Sequence, residues 1–160
     1  MPGPRVSALI AKLEKGQQKT QEILAGLSGE QWGRVIYPDP YPWTMRDLLA
    51  HFLSSEIELL QLVQDVASGG TGAPEGFDYN GFNASEHRRL AAQDSALLIS
   101  DLAAARAKTL AWLQSVRDED LDRLGRHPAL GEVTLETMIL AIYGHVLFHM
   151  RDAQRIVLAD

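Results

Sequence analysis

Two histidines stand four residues apart near the end of the chain, His145 and His149 in the segment GHVLFHMRD. On a helix, residues i and i+4 lie one turn apart on one face, with roughly 5–6 Å between Cβ atoms. Two imidazoles so placed can converge on one ion. A third histidine, His51 in WTMRDLLAHF, lies far upstream and can join them from another helix. Three protein ligands with a further position left open is the pattern of a catalytic zinc-type centre rather than a closed structural one. The spacing therefore predicts that His51, His145 and His149 hold a divalent metal. Ring nitrogens bound at about 2.1 Å to one ion would lie roughly 3–3.5 Å from one another. The chain has no cysteine, so disulfides and thiolate ligands are excluded, and a metal must be taken by His, Asp or Glu. Three imidazoles suit zinc, nickel and iron alike.

The helical face supports the pairing. Stepping back from His149 by one, two and three turns gives His145, Ile142 and Met138; stepping forward gives Asp152 and Ile156. Both histidines thus face a helix bundle, where a buried polar group needs a partner. An HxxxH pair also arises by chance in helical proteins, so satisfied core histidines are the competing reading. His51 taken alone reads as a core or boundary residue; its value is as the third member. Asp47, one turn before it, and Glu58, two turns after it, could each hold its second ring nitrogen. Asp47 reads first as a helix cap. Asp152 could fill the open position, orient an imidazole, or pair with Arg151 or Arg155.

Among the remaining candidates, His127 in RHPALGEVT either stands over the mouth of the site or is solvated. His87, beside Arg88 and Arg89, reads as an exposed polar face. Trp32, Trp43 and Tyr41 read as packing of the proline-rich connector, with a substrate wall as the alternative. There is no HExxH peptidase motif, no glycine-rich phosphate loop and no nucleophile-elbow serine.

Four helical segments must position these groups. The first runs from about Arg5 to Leu27, with Val6, Leu9, Ile10, Leu13, Ile23, Leu24 and Leu27 at helical spacing and a polar middle around Gly16-Gln17-Gln18. Ser28 with Gln31 suggests a short helical turn. Pro38, Pro40 and Pro42 then exclude a helix. The second helix starts at Thr44, which forms a capping-box pattern with Asp47, and carries Leu48, Phe52, Leu59, Val63 and Val66 inward. A glycine-rich loop from Ser68 to Pro74 ends it and reads as mobile. The third opens near Asn83 and runs through Leu90, Leu97, Leu98, Leu102, Trp112, Leu113 and Val116. Asn83-Ala84-Ser85 matches a glycosylation acceptor but reads as this helix start. A brief turn at Asp118–Leu121 precedes the fourth helix, which begins near Thr134 with Leu135, Met138, Ile139, Ile142, Val146 and Ile156 inward. No strand pattern is evident. The expectation is an all-α four-helix bundle.

With 160 residues, the chain favours one domain over 1–160. The 46% hydrophobic and 22% charged residues place it among soluble globular proteins. A formal net charge of -6 argues against a nucleic-acid partner and against an anionic membrane surface. No apolar run approaches a signal peptide or the roughly 20 residues of a membrane span, so a cytoplasmic location is expected.

A WT-initiated helix bearing His51, the FDYNGFN segment, the HPALGEVTL loop and the final HVLFH helix, in this order, resemble the DinB/YfiT-like superfamily of bacterial proteins. The resemblance covers nearly the whole chain. It implies an up-down-down-up four-helix bundle with a three-ligand divalent metal site, and His51, His145 and His149 fall on its ligand positions. The family includes S-transferases using bacillithiol or mycothiol, a mycothiol-dependent isomerase, and members known only as metal-dependent hydrolases; homodimers are frequent. The resemblance thus implies a metal-dependent enzyme acting on a small molecule, either an S-transferase with a low-molecular-weight thiol as co-substrate or a hydrolase. The alternative is a non-catalytic bundle that binds a metal or small molecule in a stress response.

Overall fold

Thr44 fixes the start of the helix that carries His51. Its hydroxyl accepts the Asp47 N–H at 3.2 Å, while the Asp47 carboxylate accepts the Thr44 N–H at 3.0 Å. This reciprocal box satisfies N–H groups that the first turn of a helix leaves unpaired. The structure, a computed structural model, describes residues 1–159. Its elements in chain order are α1 (Pro4–Ala25), α2 (Gly29–Trp32), β1 (Val35–Tyr37), β2 (Trp43–Thr44), α3 (Met45–Ala67), α4 (Tyr79–Arg89), α5 (Ser95–Leu113), a 3-10 turn (Asp118–Asp122), β3 (Leu124–His127), β4 (Gly131–Thr134) and α6 (Leu135–Val157).

Long-range contacts set the helix directions. Arg5, at the start of α1, reaches Asp122 beyond the end of α5 and Glu136 at the start of α6. Helix α1 is therefore antiparallel to α5 and parallel to α6. Arg46, at the start of α3, donates to the Leu90 and Gln93 carbonyls just before α5, so α3 and α5 run parallel. Since α3 is parallel to α5 and α5 runs against both α1 and α6, α3 and α6 are antiparallel, and His51, early in α3, meets His145 at the middle of α6. The result is an up-down-down-up four-helix bundle in which α4 lies within the long crossover from α3 to α5. Gly3 sits so close to Asp118 that a Cβ there would collide with the carboxylate. That carboxylate accepts the Arg5 and Val6 N–H groups and so caps α1 from a distant part of the chain.

The buried apolar side chains form two clusters along the bundle. One, around Leu48, Phe52, Leu98, Met150 and Val157, surrounds the histidine end; the other, around Leu13, Val63, Leu135, Met138 and Ile142, fills the opposite end.

Several expectations need correction. Two antiparallel hairpins are present, β1 with β2 and β3 with β4. Strands of two to four residues are too short for apolar–polar alternation to register. The expected third helix is two helices. Asp78 caps α4 through the Gly81 N–H at 2.9 Å, and Asp94 caps α5 through the Leu97 N–H at 2.8 Å. Asn83 consequently lies inside α4 rather than at a helix start. Leu97 and Ile156, assigned inward, are exposed. The Ser68–Pro74 loop is pinned to β3: the Ala73 N–H donates to the Arg126 carbonyl and the Arg126 N–H to the Thr71 carbonyl, both at 2.8 Å. Among the described residues no helix is long and apolar enough to cross a membrane.

Candidate metal site

The structure brings His51, His145 and His149 together between α3 and α6. Each offers one ring nitrogen, and the three lie within 4.8 Å of one another. The Nε2 atoms of His51 and His145 are 2.9 Å apart. One pair is thus slightly tighter, and the full set looser, than spacing around one ion would give. The rings stand nearly perpendicular, with centroids 4.7 Å apart for His51–His145, 4.7 Å for His145–His149 and 5.4 Å for His51–His149.

Burial disfavours the imidazolium form. It pushes His51 down to about 4 and His145 down to about 3, and the neighbouring imidazoles push the same way. His149 is lowered by burial too, with Asp152 opposing. At neutral pH all three rings are neutral and carry the lone pair that a metal requires.

The tautomer of His149 follows from its neighbours. The Tyr37 hydroxyl lies 2.8 Å from His149 Nδ1 and donates to Asp152 Oδ2 at 2.7 Å. Tyr37 has one proton to give, so His149 Nδ1–H must donate to the Tyr37 oxygen. His149 Nε2 is then the lone-pair nitrogen. Burial and Asp152 both raise Tyr37 above the usual phenol range, which keeps that proton on the phenol. Asp152 thus orients an imidazole through a tyrosine. Such outer partners raise ligand basicity and fix ring orientation.

His51 is supported differently from either sequence candidate. Its Nδ1 lies 3.4 Å from the Ser55 hydroxyl. Asp47 is occupied by Thr44 and Arg46, and Glu58 is exposed at the edge of a cavity. Trp43 packs edge-on against the His51 ring at 5.2 Å, so part of the connector packing buttresses the site. His87 is not an exposed polar residue: it packs on Tyr41 and Trp43, with Nε2 3.4 Å from Asp47 Oδ1.

A cavity of about 300 Å³ opens beside His51 and His145. Ser55 and Glu58 of α3, Phe77, Phe82 and Asn83 around α4, and His127 of β3 line it. His127 and Asn83 therefore both border the site, and His127 stands at its mouth rather than in solvent. Three neutral imidazoles beside a cavity fit a borderline divalent ion such as zinc, nickel or iron, and they leave its charge uncompensated by the protein.

Tyr37 is not identifiable from spacing, since it sits in the proline-rich connector, outside both ligand helices and 112 residues before His149. It carries a large expected effect. Replacing Tyr37 with Phe strands the His149 Nδ1–H and releases the ring. Zinc affinity should fall roughly 10–100-fold, the usual cost of losing such a partner. Competition with a chromophoric chelator reads this directly; affinity within a factor of two of the parent would show that the hydroxyl does not act on His149.

The comparisons with known proteins agree with this architecture. YfiT from Bacillus subtilis, described as a probable metal-dependent hydrolase with an unusual four-helix bundle topology, superposes with a TM-score of 0.73 at 19% identity over 97% of this chain and 89% of that one. A mycothiol-dependent maleylpyruvate isomerase superposes with a TM-score of 0.75 at 14% identity over 92% of this chain, which spans only 60% of the isomerase. The colibactin self-resistance protein ClbS, solved with double-stranded DNA, gives 0.70 at 14% identity over 94% and 95% of the two chains. These likenesses establish the fold. No curated protein matches the sequence. The DinB superfamily model matches residues 12–153, and the chain therefore belongs to the DinB superfamily.

Proposed function

We propose that this chain is a metal-dependent enzyme acting on a small organic molecule, either a hydrolase or an S-transferase that uses a low-molecular-weight thiol. The observation that carries the proposal is the convergence of three neutral imidazoles on one point beside a cavity large enough for a substrate. His51, His145 and His149 would hold the ion. A divalent ion there supplies positive charge that lowers the pKa of a neighbouring water or thiol, making a nucleophile at neutral pH.

The chain's own residues do the rest. Tyr37 and Asp152 hold His149 in the productive tautomer. Trp43 and Phe52 pack against the rings and keep water from their backs. Leu59, Leu62, Phe77 and Phe82 give the cavity a largely apolar wall suited to an uncharged substrate body. Glu58 is the carboxylate at the cavity's exposed edge. YfiT's description favours hydrolysis and the isomerase's favours thiol chemistry; both enter here by likeness of fold alone. A cytoplasmic homodimer belongs to the same proposal. The net charge of -6 weighs against nucleic acid as a partner, despite the fold shared with ClbS.

The test begins with calorimetric titration of zinc, nickel and iron(II) into protein carrying no histidine tag. One ion should bind per chain. Loaded and metal-free protein are then screened for ester hydrolysis and for conjugation of an aromatic electrophile with mycothiol, bacillithiol or glutathione. Turnover in the loaded protein alone is the expected result. Stoichiometric binding with no turnover in either screen would favour the binding-module reading. Absence of metal binding would leave the histidines as core residues.

A further inference from the structure

His127 is the one imidazole at the cavity that the metal reading does not use. It ends β3, is 9% exposed, and shares the cavity wall with His51 and His145. Its Nδ1 accepts two backbone N–H groups, from Ala129 at 3.1 Å and Leu130 at 3.3 Å. An atom that accepts two N–H groups carries a lone pair and no proton. The single proton of the neutral ring must therefore sit on Nε2. That Nε2–H is buried and has no partner among the described residues. A buried donor left unpaired is costly, so a stable structure needs an acceptor for it. The backbone around it is fixed, because the strap at Thr71–Ala73 bonds β3 at Arg126 from the other side. The ring can neither swing away nor change tautomer without breaking the turn that closes the β3–β4 hairpin.

We propose that His127 is a substrate-positioning residue, its Nε2–H donating to an acceptor oxygen of an uncharged organic molecule whose apolar body lies against Phe77 and Phe82. This deepens the enzyme reading above and rests on it. The substrate class follows from the wall: a neutral donor recognises a carbonyl, ester or nitro oxygen, and two phenyl rings recognise an aromatic or branched body. A group held this way is oriented toward His51 and His145, where the proposed nucleophile would form.

The experiment separates the donor from the turn. Asn at position 127 places its amide oxygen where Nδ1 stands, so His127→Asn keeps the backbone acceptor and deletes the donor. Gln reaches the Nε2 position, so His127→Gln keeps a donor and loosens the turn. The probe is benzohydroxamate, titrated into zinc-loaded and metal-free protein. It is followed by calorimetry and by the ¹⁵N resonance of His127 Nε2. In the parent that resonance should report the Nε2–H tautomer and shift on titration. His127→Asn should bind the probe roughly 5–10-fold more weakly, as loss of one hydrogen bond predicts. Its zinc affinity and melting temperature should stay unchanged. His127→Gln should retain probe affinity within about 3-fold and melt at lower temperature. Parent-like probe binding by His127→Asn would overturn the proposal and leave His127 as a turn residue. Zinc binding with no His127 shift on titration would overturn it too while sparing the metal site. A His127 shift in protein that binds no zinc would sustain the donor and sink the metal reading.

Discussion

The His149→Ala variant is expected to bind zinc at least 100-fold more weakly than the parent and to lose turnover, while keeping its helical content. Three donors converge in the parent, and removing one leaves two, His51 and His145. Losing a direct donor must cost more than losing an outer partner such as Tyr37, for which roughly 10–100-fold is usual. The fold should survive for three reasons. His149 is only partly buried. Its removal orphans no strong polar group, because the Tyr37 hydroxyl keeps Asp152 as its acceptor. The apolar contacts that hold α6, through Met150, Ala153 and Val157, lie on neighbouring positions and stay in place. Circular dichroism and chelator competition read the two halves of the prediction separately. Zinc affinity within about threefold of the parent would remove His149 from the ligand set. A metal-free variant that still turned over substrate would overturn the metalloenzyme reading, because the catalysis would then be independent of the ion.

What the sequence made legible follows from how each feature is encoded. The starts of α3 and α6 are local: a Thr three residues before an Asp or Thr marks each N-terminus, and both caps form. The HxxxH pair is also local, because helical spacing alone puts His145 and His149 on one face. His51 was reachable only as the third member of a set, and its contact with His145 spans 94 residues. The supports of the site were not legible. Tyr37 meets His149 because the β1–β2 hairpin folds back over α6, and no periodicity records that. Ser55 lies one turn beyond His51 at helical spacing, but an uncharged hydroxyl is a weaker signal of an imidazole partner than the carboxylates of Asp47 and Glu58. The division between α4 and α5 lay in Asp94, a cap hidden inside a continuous run of helix-forming residues. His127 gave up its setting only through the hairpin, whose four-residue strands leave no pattern.

The second large effect concerns stability. Glu56→Ala and Arg106→Ala should each destabilise the protein by about 3–5 kcal/mol, the usual cost of leaving one buried charge without its partner. Glu56 is 2% exposed and Arg106 5%. Arg106 grips Glu56 with a fork: Nε donates to Oε1 and Nη2 to Oε2, both at 2.8 Å. Thr109 donates to Oε1 at 2.6 Å, and the Leu13 carbonyl accepts Arg106 Nη1 at 3.2 Å. One network thus joins α3, α5 and α1 in the bundle interior. Each polar residue interrupts an apolar stripe, Glu56 between Phe52 and Leu59, Arg106 between Leu102 and Leu113. For a chain of this length each kcal/mol lowers the melting temperature by roughly 2–4 °C, so each single variant should melt about 10 °C lower. Replacing both charges together tests where that cost arises. The Glu56→Leu, Arg106→Met, Thr109→Val triple variant removes the pair and leaves no orphan, so its melting temperature should return close to that of the parent, because apolar replacements of a buried pair are often neutral or stabilising. If the triple variant melts as low as the singles, the network contributes stability of its own and the orphaned charge is not the cause. If the singles lose less than about 1 kcal/mol, the value of an exposed pair, then water reaches the carboxylate and the interior at Arg106 is not dry.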